Sequence, residues 1–218
     1  MRIRHLLSTA IMLAAVPFLG LAPAQLSDPA IAAAPTARPN TTNDNLVRLL
    51  GDAVNARERY VKFAEQADKD GYLKVASLFR AAARGAEVHR DNALATLKKE
   101  GVKVEAPAPQ PVEVKSTKEN LQEAIRSSNE RSSREYQTYW AKARQEKAAD
   151  SVRTFNFARQ AEKKLGDLLS EAEKNLDSWK TPKTTFIVVN VCGYVTPDLG
   201  LKKCPICFSE ADTFEKLN

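Results

Sequence analysis

The stretch VASLFRAAARGAEVHRDNAL, from Val75 to Leu94, decides how this chain is read. Val75, Phe79, Ala82, Ala86, His89 and Ala93 recur at steps of three and four residues, and Leu97 continues the stripe. Side chains at those steps share one face of an α-helix. The spacing therefore predicts a helix over Tyr72 to Glu100, with His89 on its inward face. The chain has only two histidines, and the other is His5. An inward histidine is either a metal ligand or a polar group satisfied in the core.

The same period extends to both sides. Asn43 to Lys69 carries Leu46, Leu49, Leu50, Ala53, Tyr60, Phe63 and Ala67, and Gly71 interrupts it. Gly101 stands where a helix C-terminal glycine belongs. VKVEAPAPQPVEVK, Val102 to Lys115, holds three prolines and reads as an extended crossover. Ser116 with Glu119 is a capping box that opens a third helix. Its inward face runs through Leu121, Ile125, Ser128, Arg131, Glu135 and Tyr139. A fourth helix is expected over Lys147 to Trp179, with Phe155, Glu162, Leu165, Leu169 and Ala172 in register. Helices of this size are about 40 Å long. A short link, a long crossover and a second short link make an all-α, ferritin-like four-helix bundle over residues 43–180.

Beyond Lys180 the pattern changes. TTFIVVNV is β-branched and strand-like. All three cysteines, Cys192, Cys204 and Cys207, follow it, and residues 184–218 are read as a separate small module.

The N-terminal residues have a different character. Arg2, Arg4 and His5 precede an apolar run, Leu6 to Leu21, that contains Pro17 and ends before Ala22-Pro23-Ala24. This is the pattern of a secretory signal peptide over residues 1–24, cleaved near Ala24, which predicts a periplasmic or extracellular protein with no membrane span in the mature chain. Arg2 and Arg4 are not adjacent and no cysteine follows the apolar run, which argues against twin-arginine and lipoprotein routes. Residues 25–42, rich in Ala, Pro and Thr, are expected to be a disordered tether. Loss of Arg2 and Arg4 takes the formal charge from +6 to +4. Acids and bases are otherwise mixed without a basic run, so nucleic-acid binding is not expected.

The helices and the tail together resemble the rubrerythrin family, ferritin-like di-iron proteins with a rubredoxin-like end. The resemblance covers roughly Asn43 to Leu217. NLVRLLGDAVNARERYVKFAEQADKDGY is similar to the family's first helix, VASLFRAAARGAEVHRDNAL to its second, ENLQEAI to its third and NFARQAEKKL to its fourth. It implies a peroxide-reducing oxidoreductase, fed with electrons from cysteine-bound iron, and commonly a homodimer with an unknown electron donor. It also implies where the di-iron ligands fall. The first-helix Glu falls on Ala53, beside Asp52. The second-helix Glu-x-x-His falls on Ala86 and His89. Two third-helix Glu fall on Ser128 and Arg131. The fourth helix keeps Glu162, but its His is Leu165. Only His89 and Glu162 remain, and Arg131 adds a permanent cation. The di-iron centre is therefore expected to be absent, and with it peroxidase catalysis, a residual peroxide-reducing or iron-oxidising activity being the competing reading; no catalytic residue is assigned. A buried Arg131–Glu162 ion pair is expected instead, with His89 or Ser128 completing it. A mononuclear site from His89, Glu162 and Glu87 or Asp52 is the competing possibility, although Glu87 and Asp52 sit one residue, about 100°, off the inward face.

VVNVCGYVTPDLGLKKCPICF resembles the two metal knuckles of rubredoxin. The second, Cys204 to Cys207, is complete. The first lacks a ligand at Val189. Three thiolates from Cys192, Cys204 and Cys207 then hold iron or zinc with an open fourth position or one filled by water or another oxygen ligand, their sulfurs within about 4 Å of one another. Alternatively, export oxidises Cys204 and Cys207 to a disulfide and leaves Cys192 free. A metal-free structural or partner-binding bundle is the third possibility.

Overall fold

A computed structural model describes residues 40–218. The expected signal peptide and nearly all of the expected tether lie outside the described residues. Helix α1, Thr42–Lys69, begins within the stretch read as tether, because Thr41 caps it. The Thr41 hydroxyl accepts from the Asp44 N–H, and the Asp44 carboxylate accepts from the Thr41 N–H, a reciprocal capping box. Gly71, at φ +80°, then turns the chain. Helix α2 spans Leu73–Lys99. Its first N–H has no side-chain cap and is instead satisfied by the Lys180 carbonyl at 2.7 Å.

The crossover contains no helix or strand and is pinned to α1 where the Gln110 N–H donates to Asn55 Oδ1 at 2.9 Å. Helix α3, Thr117–Glu130, opens with the Ser116–Glu119 capping box. The third rod of the bundle is not one α-helix, as its spacing had predicted. A π-helical turn over Arg131–Glu135 interrupts it, and α4, Tyr136–Gln145, continues. The Tyr136 N–H reaches back five residues to the Arg131 carbonyl. The extra residue per turn shifts the register, so Tyr136 is buried in the core beside Tyr139. Helix α5, Ala149–Lys174, is shorter than the expected fourth helix. Its continuation, Leu176–Trp179, tightens to a 3₁₀ turn.

Three strands follow: β1, Phe186–Val189, β2, Val195–Thr196, and β3, Phe214–Leu217. They form an antiparallel sheet in the order β2-β1-β3. All four residues of β1 are buried, and its alternation divides them. Phe186 and Val188 join the bundle core, while Ile187 and Val189 join a small cluster around Cys192 and Cys204. The sheet and the bundle thus share one compact unit.

The bundle core is itself divided. One apolar cluster contains Tyr60, Phe63, Phe79, Leu121 and Leu169. The other contains Leu46, Leu49, Leu50, Leu97, Tyr136 and Phe155. Between them along the chain, each of the last three rods carries buried polar side chains: His89 on α2, Ser128 on α3, Arg131 in the π turn and Glu162 on α5. Among the described residues no helix is long and apolar enough to cross a membrane.

Candidate metal centre

The polar side chains between the two apolar clusters converge on Glu162, which is 2% exposed. Its Oε2 accepts from Ser128 Oγ at 2.7 Å and from Arg131 Nη2 at 2.9 Å. Arg131 Nη2 also donates to Tyr60 Oη at 3.2 Å, and Tyr60 Oη lies 3.4 Å from Ser128 Oγ. His89 Nδ1 stands 3.8 Å from Glu162 Oε1, beyond hydrogen-bonding reach. The histidine's close partner is elsewhere: its Nε2 is 3.1 Å from the Cys192 carbonyl. A carbonyl only accepts, so Nε2 carries the proton. Of the two groups expected to complete the cluster, His89 or Ser128, it is Ser128 that bonds Glu162, with Tyr60 beside it, and His89 ties the bundle to the first cysteine knuckle. Two glycines allow that approach. A Cβ on Gly85 would lie 2.8 Å from the Gly193 carbonyl oxygen, and Gly193 has φ +76°.

Charge follows geometry. Burial works to raise the Glu162 carboxyl, but the Arg131 guanidinium and the Ser128 bond outweigh it and hold it below the usual range. Burial likewise opposes the Arg131 charge, and Glu162 overrides it, so Arg131 stays protonated. Burial depresses His89, which Glu162 only partly offsets, and the imidazole is neutral. Glu87, a candidate for a mononuclear site, turns away to pair with Arg57 and Arg84. Asp52 lines a cavity of about 220 Å³ with Arg59, Arg131 and Glu135. Burial, then the neighbouring Glu135, raises its carboxyl to about 6.

Tyr60 and Tyr136 are the parts of this belt that sequence reasoning missed. Tyr60 was legible only as an apolar-stripe residue, although a buried phenol needs a partner for its hydroxyl. Tyr136 was hidden by the π turn. Burial raises the pKa of both phenols and keeps them neutral.

The second centre is the tail. Cys192, Cys204 and Cys207 bring their sulfurs within 4.8 Å of one another, and among the described residues no other group of three such side chains could hold a metal ion. The span is somewhat wider than the roughly 4 Å expected for thiolates on one ion. Cys192 Sγ and Cys204 Sγ, from different knuckles, are 3.6 Å apart. Cys204 Sγ accepts from the Ile206 N–H at 3.4 Å, and Cys207 Sγ lies 3.1 Å from Ser209 Oγ. The Cys192 thiol hydrogen-bonded to Cys204, helped by backbone N–H groups, lowers Cys204 to about 5, and Cys192 is raised in turn. Such a thiolate is ready to bind a metal. Cys192 and Cys204 are buried and Cys207 is partly exposed.

A ferritin-like four-helix bundle with a rubredoxin-like three-cysteine module defines the class. A family model described as Rubrerythrin matches residues 54–173. Rubrerythrin-2 of Clostridium acetobutylicum is 30% identical over 80% of this chain and 95% of its own length. Nigerythrin of Nitratidesulfovibrio vulgaris is 28% identical over 80% of this chain and 85% of its own. A solved, fully reduced, all-ferrous state of nigerythrin superposes with a TM-score of 0.77, at 26% identity, over 85% of this chain and 91% of that one. The chain belongs to the rubrerythrin family.

The two centres differ in their fit to metal. Three clustered thiolates suit a thiophilic ion. The bundle site does not suit two iron ions: its fully buried carboxylate is engaged by a guanidinium, and its histidine donates to a backbone carbonyl.

Proposed function

We propose that this chain is an exported rubrerythrin-family protein in which a buried ion pair replaces the di-iron peroxidase centre. Its remaining chemistry is metal binding at the cysteine module. The single observation that carries this reading is the Arg131 guanidinium, 5% exposed, held 2.9 Å from Glu162. Arginine cannot give up its proton to make room for a metal cation. It supplies the positive charge that the carboxylate would otherwise take from iron.

Cys192, Cys204 and Cys207 would hold the ion, iron or zinc by family likeness, and iron there would supply one-electron transfer. The chain's own contribution is to bury Cys192 and Cys204, to donate the Ile206 N–H to sulfur, and to link the knuckle to the bundle through His89. Secretion after cleavage near Ala24 and assembly as a homodimer belong to the same reading; the first rests on the N-terminal sequence pattern and the second on the family likeness.

Residual peroxide reduction is the competing reading, favoured by the family match across the bundle. Metal analysis of the purified mature protein separates the two. One ion per chain, lost on replacing the cysteines, supports the proposal. Two or more irons per chain support the peroxidase. No metal in any preparation supports a structural or partner-binding bundle.

A further inference from the structure

The family likeness sets a cysteine at Val189, and the structure has a closed apolar wall there. The alternation of β1 sends Val189 toward Cys192 and Cys204, together with Ile187 and Ile206. Val189 is completely buried. The turn around it is otherwise a formed knuckle. The Val189 carbonyl accepts from the Gly193 N–H at 2.8 Å and the Cys192 N–H at 3.3 Å, and the Val189 N–H donates to the Tyr194 carbonyl at 2.9 Å. The isopropyl group thus stands on the wall where the likeness sets a ligand sulfur, and the open side of the cluster is at Cys207, which is partly exposed and lines a cavity of about 390 Å³. Among the described residues no histidine, aspartate or glutamate joins the three sulfurs.

We propose that Cys192, Cys204 and Cys207 form a three-coordinate thiolate site, walled on one side by Val189, that takes copper(I) in preference to iron or zinc. The proposal rests on the metal-binding reading of the tail and names its ion. Iron and zinc in thiolate sites take four donors in a tetrahedron. An aliphatic side chain cannot be the fourth donor, so a tetrahedron here would have to draw on water or on the Ser209 hydroxyl, 3.1 Å from Cys207 Sγ, on the exposed side. Copper(I) is a soft d¹⁰ ion that thiolates select and that is satisfied by three sulfurs.

The test uses the reduced full chain and the Val189→Cys variant under anaerobic conditions. Cobalt(II) serves as the spectroscopic stand-in for iron and zinc, and copper(I) is supplied from a chromophoric chelator. Wild type should bind one copper(I) per chain, and X-ray absorption should count three sulfur neighbours and no oxygen. Cobalt(II) should bind Val189→Cys more tightly than wild type by at least about 10–100-fold, the cost of losing even an outer-shell partner. Copper(I) affinity should stay within the same order of magnitude in both. A tetrahedral cobalt spectrum in wild type, formed as tightly as in the variant, would overturn the proposal. Its loss in Ser209→Ala would then identify Ser209 as the fourth donor. The sulfur count on wild-type protein decides the question even if Val189→Cys does not fold. Failure of copper(I) and of cobalt(II) alike to bind wild type would overturn the metal-binding reading as well.

Discussion

Arg131 and Glu162 are each costly alone and tolerable together. Removing a charge from water costs several kcal/mol, and a partner at hydrogen-bond distance offsets much of it. Arg131→Ala should therefore destabilise the bundle by about 3–5 kcal/mol, because Glu162 is left buried without its cation. Replacing both, as in the double variant Arg131→Met and Glu162→Leu, should be near neutral or stabilising by about 1–4 kcal/mol. Urea unfolding at pH 7 measures both, and a small loss in the single variant would mean that water reaches the pair. Asp52 makes a prediction of opposite pH sign. Its folded pKa, about 6, lies above the ordinary 3.8, so the folded state binds the proton more tightly between those values. Its ionisation therefore lowers stability as pH rises through that window. Asp52→Asn should stabilise the protein by up to about 3 kcal/mol above pH 6, with the gain shrinking to nothing below pH 4. Stability curves at pH 4 and pH 7.5 would show it; an equal effect at both would contradict a buried titration. Glu162 acts the other way, contributing stability above its ordinary 4.5 that is lost as acid protonates it.

Elements meet where side chains are absent. Helix α2 and the first knuckle approach so closely at Gly85 and Gly193 that His89 can reach the Cys192 carbonyl. An alanine in mid-helix ordinarily gains about 1 kcal/mol over glycine. Gly51, in α1, has nothing within 4 Å of its would-be Cβ, so Gly51→Ala should show that gain. Gly85→Ala should instead lose stability and weaken metal binding in the tail, because its Cβ would press on the knuckle. Thermal unfolding of the two variants side by side checks this, and a stabilised Gly85→Ala would mean that the module does not dock on α2. The π turn explains why the third rod was only partly legible. Ser128 and Arg131 lie before or at the start of the extra residue and were readable from spacing. Tyr136 lies after it, and no periodicity reports an insertion whose effect is felt only through packing.

Across the whole molecule, the bundle and its polar belt were written in helical spacing because each rod carries its inward polar residues on the same stripe as its apolar ones. The partner of His89 was not legible. It comes from a knuckle 103 residues further along the chain, which only the docked sheet brings near. The walling role of Val189 was equally hidden, since loss of a cysteine does not tell a gap from a filled position. We propose that Arg131 stands where this family's bundle would hold iron. The most direct test is a crystal soaked anaerobically in ferrous iron, with anomalous diffraction recorded at the iron edge. No iron peak should appear among Glu162, His89 and Asp52, and Arg131 should remain on Glu162. Peaks between the helices, with Arg131 displaced from Glu162, would contradict it.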